Sequence, residues 1–151
     1  MLRAHAAAPV AGPARAELLR RHPQLTPMTT VSIHAAVKAF CKEDGGWTGM
    51  GPRAADFRHS PNAEAKYGPV GLWDLSEVTS MPYLFIGCRN FNEDVSAWDV
   101  QRAESLCYLF NSASSFNQPL GTWAVRPGAD TYAMFDNATA FDRAANAPWY
   151  T

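Results

Sequence analysis

Charge is scarce in this chain, and so is cysteine. Only 18% of its 151 residues are Asp, Glu, Lys or Arg, and the formal net charge is −1, which gives no overall attraction to nucleic acid or to an anionic membrane. The arginines are scattered among an N-terminal arm, a loop and the body of the chain, without the basic run interleaved with aromatics that nucleic-acid binding uses. No stretch approaches the roughly 18 apolar residues of a membrane-spanning helix, so no transmembrane segment is expected. The three cysteines, Cys41, Cys88 and Cys107, form no CxxC pair and no even framework, which argues against a zinc site and a disulfide scaffold. A single Cys88–Cys107 bridge stays open. Catalytic-triad, HExxH, P-loop and GxGxxG patterns are also missing, so no catalytic residue and no cofactor is assigned and the chain is not read as an enzyme.

What is present is a period. Trp73, Trp98 and Trp123 stand 25 residues apart, as do Phe85, Phe110 and Phe135, and Phe91, Phe116 and Phe141, so that six of the eight phenylalanines fall in two columns. Aliphatic residues keep the same step: Val70, Val95 and Leu120; Leu75, Val100 and Val125; Leu84, Leu109 and Met134. The small residues Cys88, Ala113 and Ala138 share a further column. A fixed period of this size implies stacked supersecondary units that bury their apolar faces against one another, and terminal units that need caps. The columns of Trp and Phe are therefore the candidate core.

Four segments follow. Residues 1–28 are rich in Ala, Arg and Pro with Glu17 the only acid, a composition suited to a free arm or to an organellar transit segment. Residues 29–62 hold a capping helix and a long loop. Ile33, Ala36, Val37, Phe40 and Cys41 make one apolar stripe at helical spacing, Thr29 or Thr30 can cap its start, and Gly45-Gly46 would end it. His34, Lys38 and Lys42 fall on another face, most simply a solvated one. The loop then carries Trp47, Met50, Arg53, Phe57 and Arg58; aromatics mixed with arginines suit protein recognition, so Trp47, Arg53, Phe57 and Arg58 are the candidate partner-binding residues. Residues 63–144 are the repeats, and 145–151 the C-terminal end.

Each repeat reads as a short strand followed by one or two turns of helix, with Leu106, Leu109 and Phe110 at helical spacing in the middle unit. The expected fold is thus an α/β repeat solenoid of the leucine-rich-repeat kind: about three 25-residue coils of short parallel strand plus short helix, behind an N-terminal helical cap. After the second phenylalanine column comes a polar one, Asn92, Asn117 and Asp142, expected to form a ladder that satisfies backbone groups at the turns. Asp74 and Asp99 share a column that becomes Ala124. Stacked acids can ligate calcium or act on glycosidic bonds, so these two are the candidate calcium or glycan site, although turn capping explains them without a metal.

The strings YGPVGLWDLSEVTSMPYLF and NFNEDVSAWDV, followed by YLFNSASSFNQPLGTW, resemble the BspA-like leucine-rich-repeat surface proteins, a repeat family that includes a mycoplasma domain of unknown function and is abundant in unicellular algae. The resemblance spans about Asn62 to Asp142. It implies binding or adhesion and supplies no catalytic residues. Together with the period, it points to a non-catalytic protein-interaction or structural module: an accessory subunit of a larger assembly, or alternatively a cell-surface adhesion domain. Homo-oligomerisation through the ends of the repeat stack is a further expectation. The location would be organellar if residues 1–28 are a transit segment, and the cell surface if the family resemblance decides.

Overall fold

A computed structural model of the chain describes residues 16–17, 20–23, 25–42, 56–58 and 60–151. Most of the N-terminal arm, Gly45-Gly46, Trp47 and Arg53 lie outside the described residues. Within the arm, residues 16–17 and 20–21 are helical, and Glu17 pairs with Arg20 at 2.7 Å and Arg21 at 3.3 Å.

Helix α1 runs over Thr30–Phe40. Its start is fixed by a reciprocal cap: the Ser32 N–H donates to Thr29 Oγ1 at 3.1 Å, and the Thr29 N–H donates to Ser32 Oγ at 2.8 Å, so that two otherwise orphaned donors are satisfied. Ile33, Ala36, Val37 and Phe40 form its buried face. The helix stops earlier than the glycines led us to expect. Cys41 is already extended (φ −94°, ψ 107°), and Cys41–Lys42 (β1) pairs antiparallel with Asp56–Phe57 (β2). Helix α2, Pro61–Tyr67, is capped by Ser60 and carries Pro at its first position, where the missing N–H costs nothing. It ends at Gly68 with φ +69°, where a Cβ would lie 2.6 Å from Leu25 Cδ2. A single 3₁₀ turn, Val70–Leu72, leads to the first tryptophan.

The repeats do not fold as the expected α/β solenoid of strand-plus-helix coils. Among the described residues, the only strands are β1 and β2, which lie outside the repeats. Beyond α2 and the 3₁₀ turn that lead into the first layer, the repeats hold no helix among the described residues before α3, Arg143–Asn146. In place of a parallel sheet there are isolated parallel bridges, Ser80 to Ser105 and Ser105 to Asp130. Each layer is built from turns. The segment expected to be helical contains two left-handed residues per layer, Tyr83 and Gly87, Tyr108 and Ser112, Ala133 and Asn137, with φ between +51° and +69°. A right-handed helix cannot pass through these positions. The expected strand is interrupted as well, because the Trp98 N–H bonds back to Val95 O and the Ala103 N–H to Val100 O, three-residue closures that fold the chain instead of extending it.

The layers are joined by a directional ladder. The N–H groups of Met81, Tyr83, Phe85 and Gly87 donate to the carbonyls of Ser105, Cys107, Leu109 and Asn111 at 2.7–3.0 Å. One layer on, Leu106, Tyr108, Phe110 and Ser112 donate to Asp130, Tyr132, Met134 and Asp136 at 2.7–2.9 Å. Inside this backbone, the aromatic columns stack. Trp73, Trp98 and Trp123 lie parallel with centroids 6.0 and 6.3 Å apart, and Phe85, Phe110 and Phe135 with centroids 5.8 and 5.9 Å apart. Within a layer the two phenylalanines are closer, 3.9 Å for Phe85 with Phe91 and for Phe110 with Phe116. Each indole N–H also reaches backward, Trp98 Nε1 to Val70 O at 2.9 Å and Trp123 Nε1 to Val95 O at 3.0 Å.

Trp149 extends that column, stacking on Trp123 at 6.3 Å and donating from Nε1 to Leu120 O at 2.7 Å. It was not anticipated, because it stands 26 residues after Trp123, one beyond the period. Helix α3, capped by the Asp142 carboxylate, lies between the two.

Two expected outcomes follow from this packing. Trp98, 3% exposed between two tryptophans, cannot be truncated without a cavity and the loss of its indole bond to Val70 O. Trp98→Ala should cost on the order of 3–5 kcal/mol, measured by denaturant unfolding. The polar column acts on backbone: Asn92 Oδ1 accepts the Asn117 N–H at 2.9 Å, and Asn117 Oδ1 accepts the Asp142 N–H at 3.1 Å. Asn117→Leu strips the acceptor and should destabilise by roughly 1–2 kcal/mol in the same measurement, less than a buried loss because the site is exposed.

Candidate interaction surface

Most polar groups of the repeats are spent on the chain's own turns. Asp74 Oδ1 accepts the Ser76 N–H and Asp99 Oδ1 the Gln101 N–H, both at 3.0 Å, so each carboxylate closes an Asx turn within its own layer. Both are exposed. Among the described residues no group of three or more His, Cys, Asp or Glu side chains converges on one point. Asp142 caps α3 through the Ala145 N–H at 3.1 Å. Exposed ion pairs also step between layers, Arg102 with Glu77 and Arg126 with Glu104, each at 3.2 Å; such pairs contribute little to stability.

Of the four loop residues singled out from the sequence, the structure describes two, Phe57 and Arg58. Trp47 and Arg53 lie outside the described residues. Phe57 is buried, 5% exposed, stacked on Phe40 at 5.3 Å and edge-on to Phe91 at 5.1 Å. Its backbone is clamped by one side chain: the Phe57 N–H donates to Asn90 Oδ1 at 2.7 Å, and Asn90 Nδ2 donates to Phe57 O at 2.8 Å. Phe57 thus closes the N-terminal end of the phenylalanine columns. Arg58 is exposed, with its backbone N–H bonded to Phe40 O at 2.8 Å.

The cysteines are free thiols. Cys41 and Cys88 are buried and Cys107 is half-buried. Cys88 Sγ lies 3.8 Å from Cys41 Sγ across the cap interface, and Cys107 Sγ takes a contact from Ser105 Oγ at 3.3 Å. The Cys88–Cys107 bridge left open by the sequence is not formed.

The outer flank of the turns carries a different feature. Tyr83 and Tyr108 stack nearly parallel, centroids 5.0 Å apart, and Tyr108 meets Tyr132 edge-on at 5.5 Å. Tyr132 is 68% exposed. Both inner rings project from left-handed residues, which turn the side chain outward while the flanking Leu84 and Leu109 point into the core. The 25-residue step between Tyr83 and Tyr108 was available in the sequence. The third member was hidden because Ala133 holds the column and Tyr132 stands one residue early. Partial loss of solvent, then the neighbouring phenols of Tyr132 and Tyr83, holds the Tyr108 hydroxyl above its ordinary value.

The family model described as "Mycoplasma protein of unknown function, DUF285" matches residues 55–151. The chain belongs to that family, which is related to the BspA-like proteins. No curated protein and no solved structure matches the chain. No helix among the described residues is long and apolar enough to cross a membrane.

The tyrosine row yields a pH prediction. Tyr108 binds its proton more tightly in the folded chain than in the unfolded one, so this contribution to stability is intact below pH 10.0 and is lost as pH rises through the raised folded value. Ultraviolet titration of the folded protein should show one phenol ionising late, and Tyr108→Phe should remove that component.

Proposed function

We propose that this chain is a non-catalytic interaction module, an accessory or structural subunit that binds another protein through the outer flank of its turns. The observation that supports this reading is the row Tyr83, Tyr108 and Tyr132, aromatic area held at the surface by backbone that is rigidly bonded to the next layer. Tyrosine offers large apolar contact with little rotamer entropy to lose and a hydroxyl for one directed bond, the combination found at interface anchors. The interior cannot serve this purpose, since its rings are consumed by stacking. Asp74, Asp99 and Asp142 and the asparagines Asn92 and Asn117 are occupied by backbone N–H groups at turns.

The test is the paired variant Tyr108→Ser and Tyr132→Ser in the native source, with the co-purifying assembly quantified against wild type. Association should fall by about tenfold or more. Thermal unfolding should shift less than for Trp98→Ala. Undiminished association would move recognition to another surface.

A further inference from the structure

The period asks only for a small residue where Cys88 stands, since Ala113 and Ala138 hold the same place in the next two layers. Packing alone does not require a thiol there. Opposite it, in β1 of the cap, stands Cys41, with its Sγ 3.8 Å from Cys88 Sγ. The two side chains are buried, 2% and 0% exposed, so the sulfurs face each other in van der Waals contact and out of water. They belong to residues 47 apart in the chain, and they meet where the cap joins the first layer.

That junction is built differently from those between layers, which carry a ladder of main-chain bonds in register. Here the Asn90 side chain clamps the Phe57 backbone, the Met28 N–H donates to Asp74 O at 2.7 Å, and Phe40 packs on Trp73. Cys41 sits in a strand pair of two residues on each side, an element short enough to open locally while the stack stays folded. Such opening admits a small reagent to a buried thiol.

We infer that Cys41 and Cys88 form a redox modification site, a dithiol that hydrogen peroxide closes into a disulfide fastening the cap to the first layer. The bond needs the sulfurs at about 2.0 Å, a displacement of the size that side-chain rotation supplies. One sulfur attacks a peroxide oxygen, the O–O bond breaks, and the hydroxide leaves as water with that thiol's proton. The product is a sulfenic acid. The second sulfur then attacks the first, the S–O bond breaks, and the hydroxyl leaves as water with the second thiol's proton. Each sulfur gives up one electron, and one peroxide becomes two waters. Once formed, the bond ties residue 41 to residue 88 and restricts the unfolded chain; a thiol reductant reopens it. The site shares no residue with the tyrosine row and stands apart from the reading built on it.

The test treats the reduced full chain with equimolar hydrogen peroxide, alkylates the remaining thiols under denaturing conditions and maps the linked peptides by mass. A Cys41–Cys88 link should form, Cys107 should be alkylated, and dithiothreitol should reverse the link. The midpoint of guanidinium unfolding should rise by about 0.5 M or more on oxidation. Cys88→Ala carries the residue that the next two layers have at this place, so it should fold and show no rise with peroxide. Cys107→Ser should still form the link. The inference is overturned if Cys41 and Cys88 are both alkylated after peroxide, or if the link joins Cys107. It is equally overturned if either sulfur goes on to a sulfinic acid without forming a bond, if the linked protein unfolds at the reduced protein's midpoint, or if Cys88→Ala shows the same rise.

Discussion

The bond on which the rest depends is the main-chain hydrogen bond from one layer to the equivalent position of the next. It is short, between 2.7 and 3.0 Å across both junctions, and it repeats at alternate residues only because each layer places a left-handed residue at two fixed points. Tyrosine is an unfavourable choice for that conformation, which costs an ordinary residue about 1–2 kcal/mol. Tyr83 and Tyr108 are held there by the main-chain bonds that their layers donate to the next and by their own stacking at 5.0 Å. Local strain, layer spacing and the outward tyrosine row are thus one phenomenon.

Ring stacking follows from that spacing. The N–H to O distance sets the layers close enough for indoles and phenyl rings to lie parallel at about 6 Å, within the range where offset stacking is favourable. Burial is then completed by small residues: Cys88 and Ala113 are wholly buried beside the rings and Ala138 nearly so, where a larger side chain would separate the layers. The caps obey the same geometry. Phe40 and Phe57 stand where a preceding layer's rings would be, and Trp149 stands where a following one's would be.

Which residues go inside was legible from the period alone, because Trp, Phe and aliphatic columns recur whatever backbone carries them. The backbone itself was not. Inward residues at Leu106, Leu109 and Phe110 have helical spacing, yet a corner of turns brings the same residues to the core. Nothing local in Tyr83 or Tyr108 announces a positive φ, in contrast to Gly87, which does. The start of α1 was legible because Thr29 and Ser32 have the chemistry of a cap; its end was not, because Cys41 leaves the helix to pair with Phe57, a contact between residues with no shared pattern. That pairing also removed Phe57 from the surface. Trp149 and Tyr132 escaped notice for one reason, a slip of a single residue against the 25-residue register.

The slip at Trp149 shows how strictly length is controlled. A single inserted residue inside a layer would rotate every later side chain out of its column and misalign four backbone donors at once, whereas α3, placed between Asp142 and Trp149, absorbs the extra residue in its own turn. Insertions and deletions in this gene are therefore filtered by size: whole units of 25 codons preserve the register, and smaller ones survive only where a helix or loop can take up the slack. A stack of this kind keeps a foldable product when its length changes by whole units.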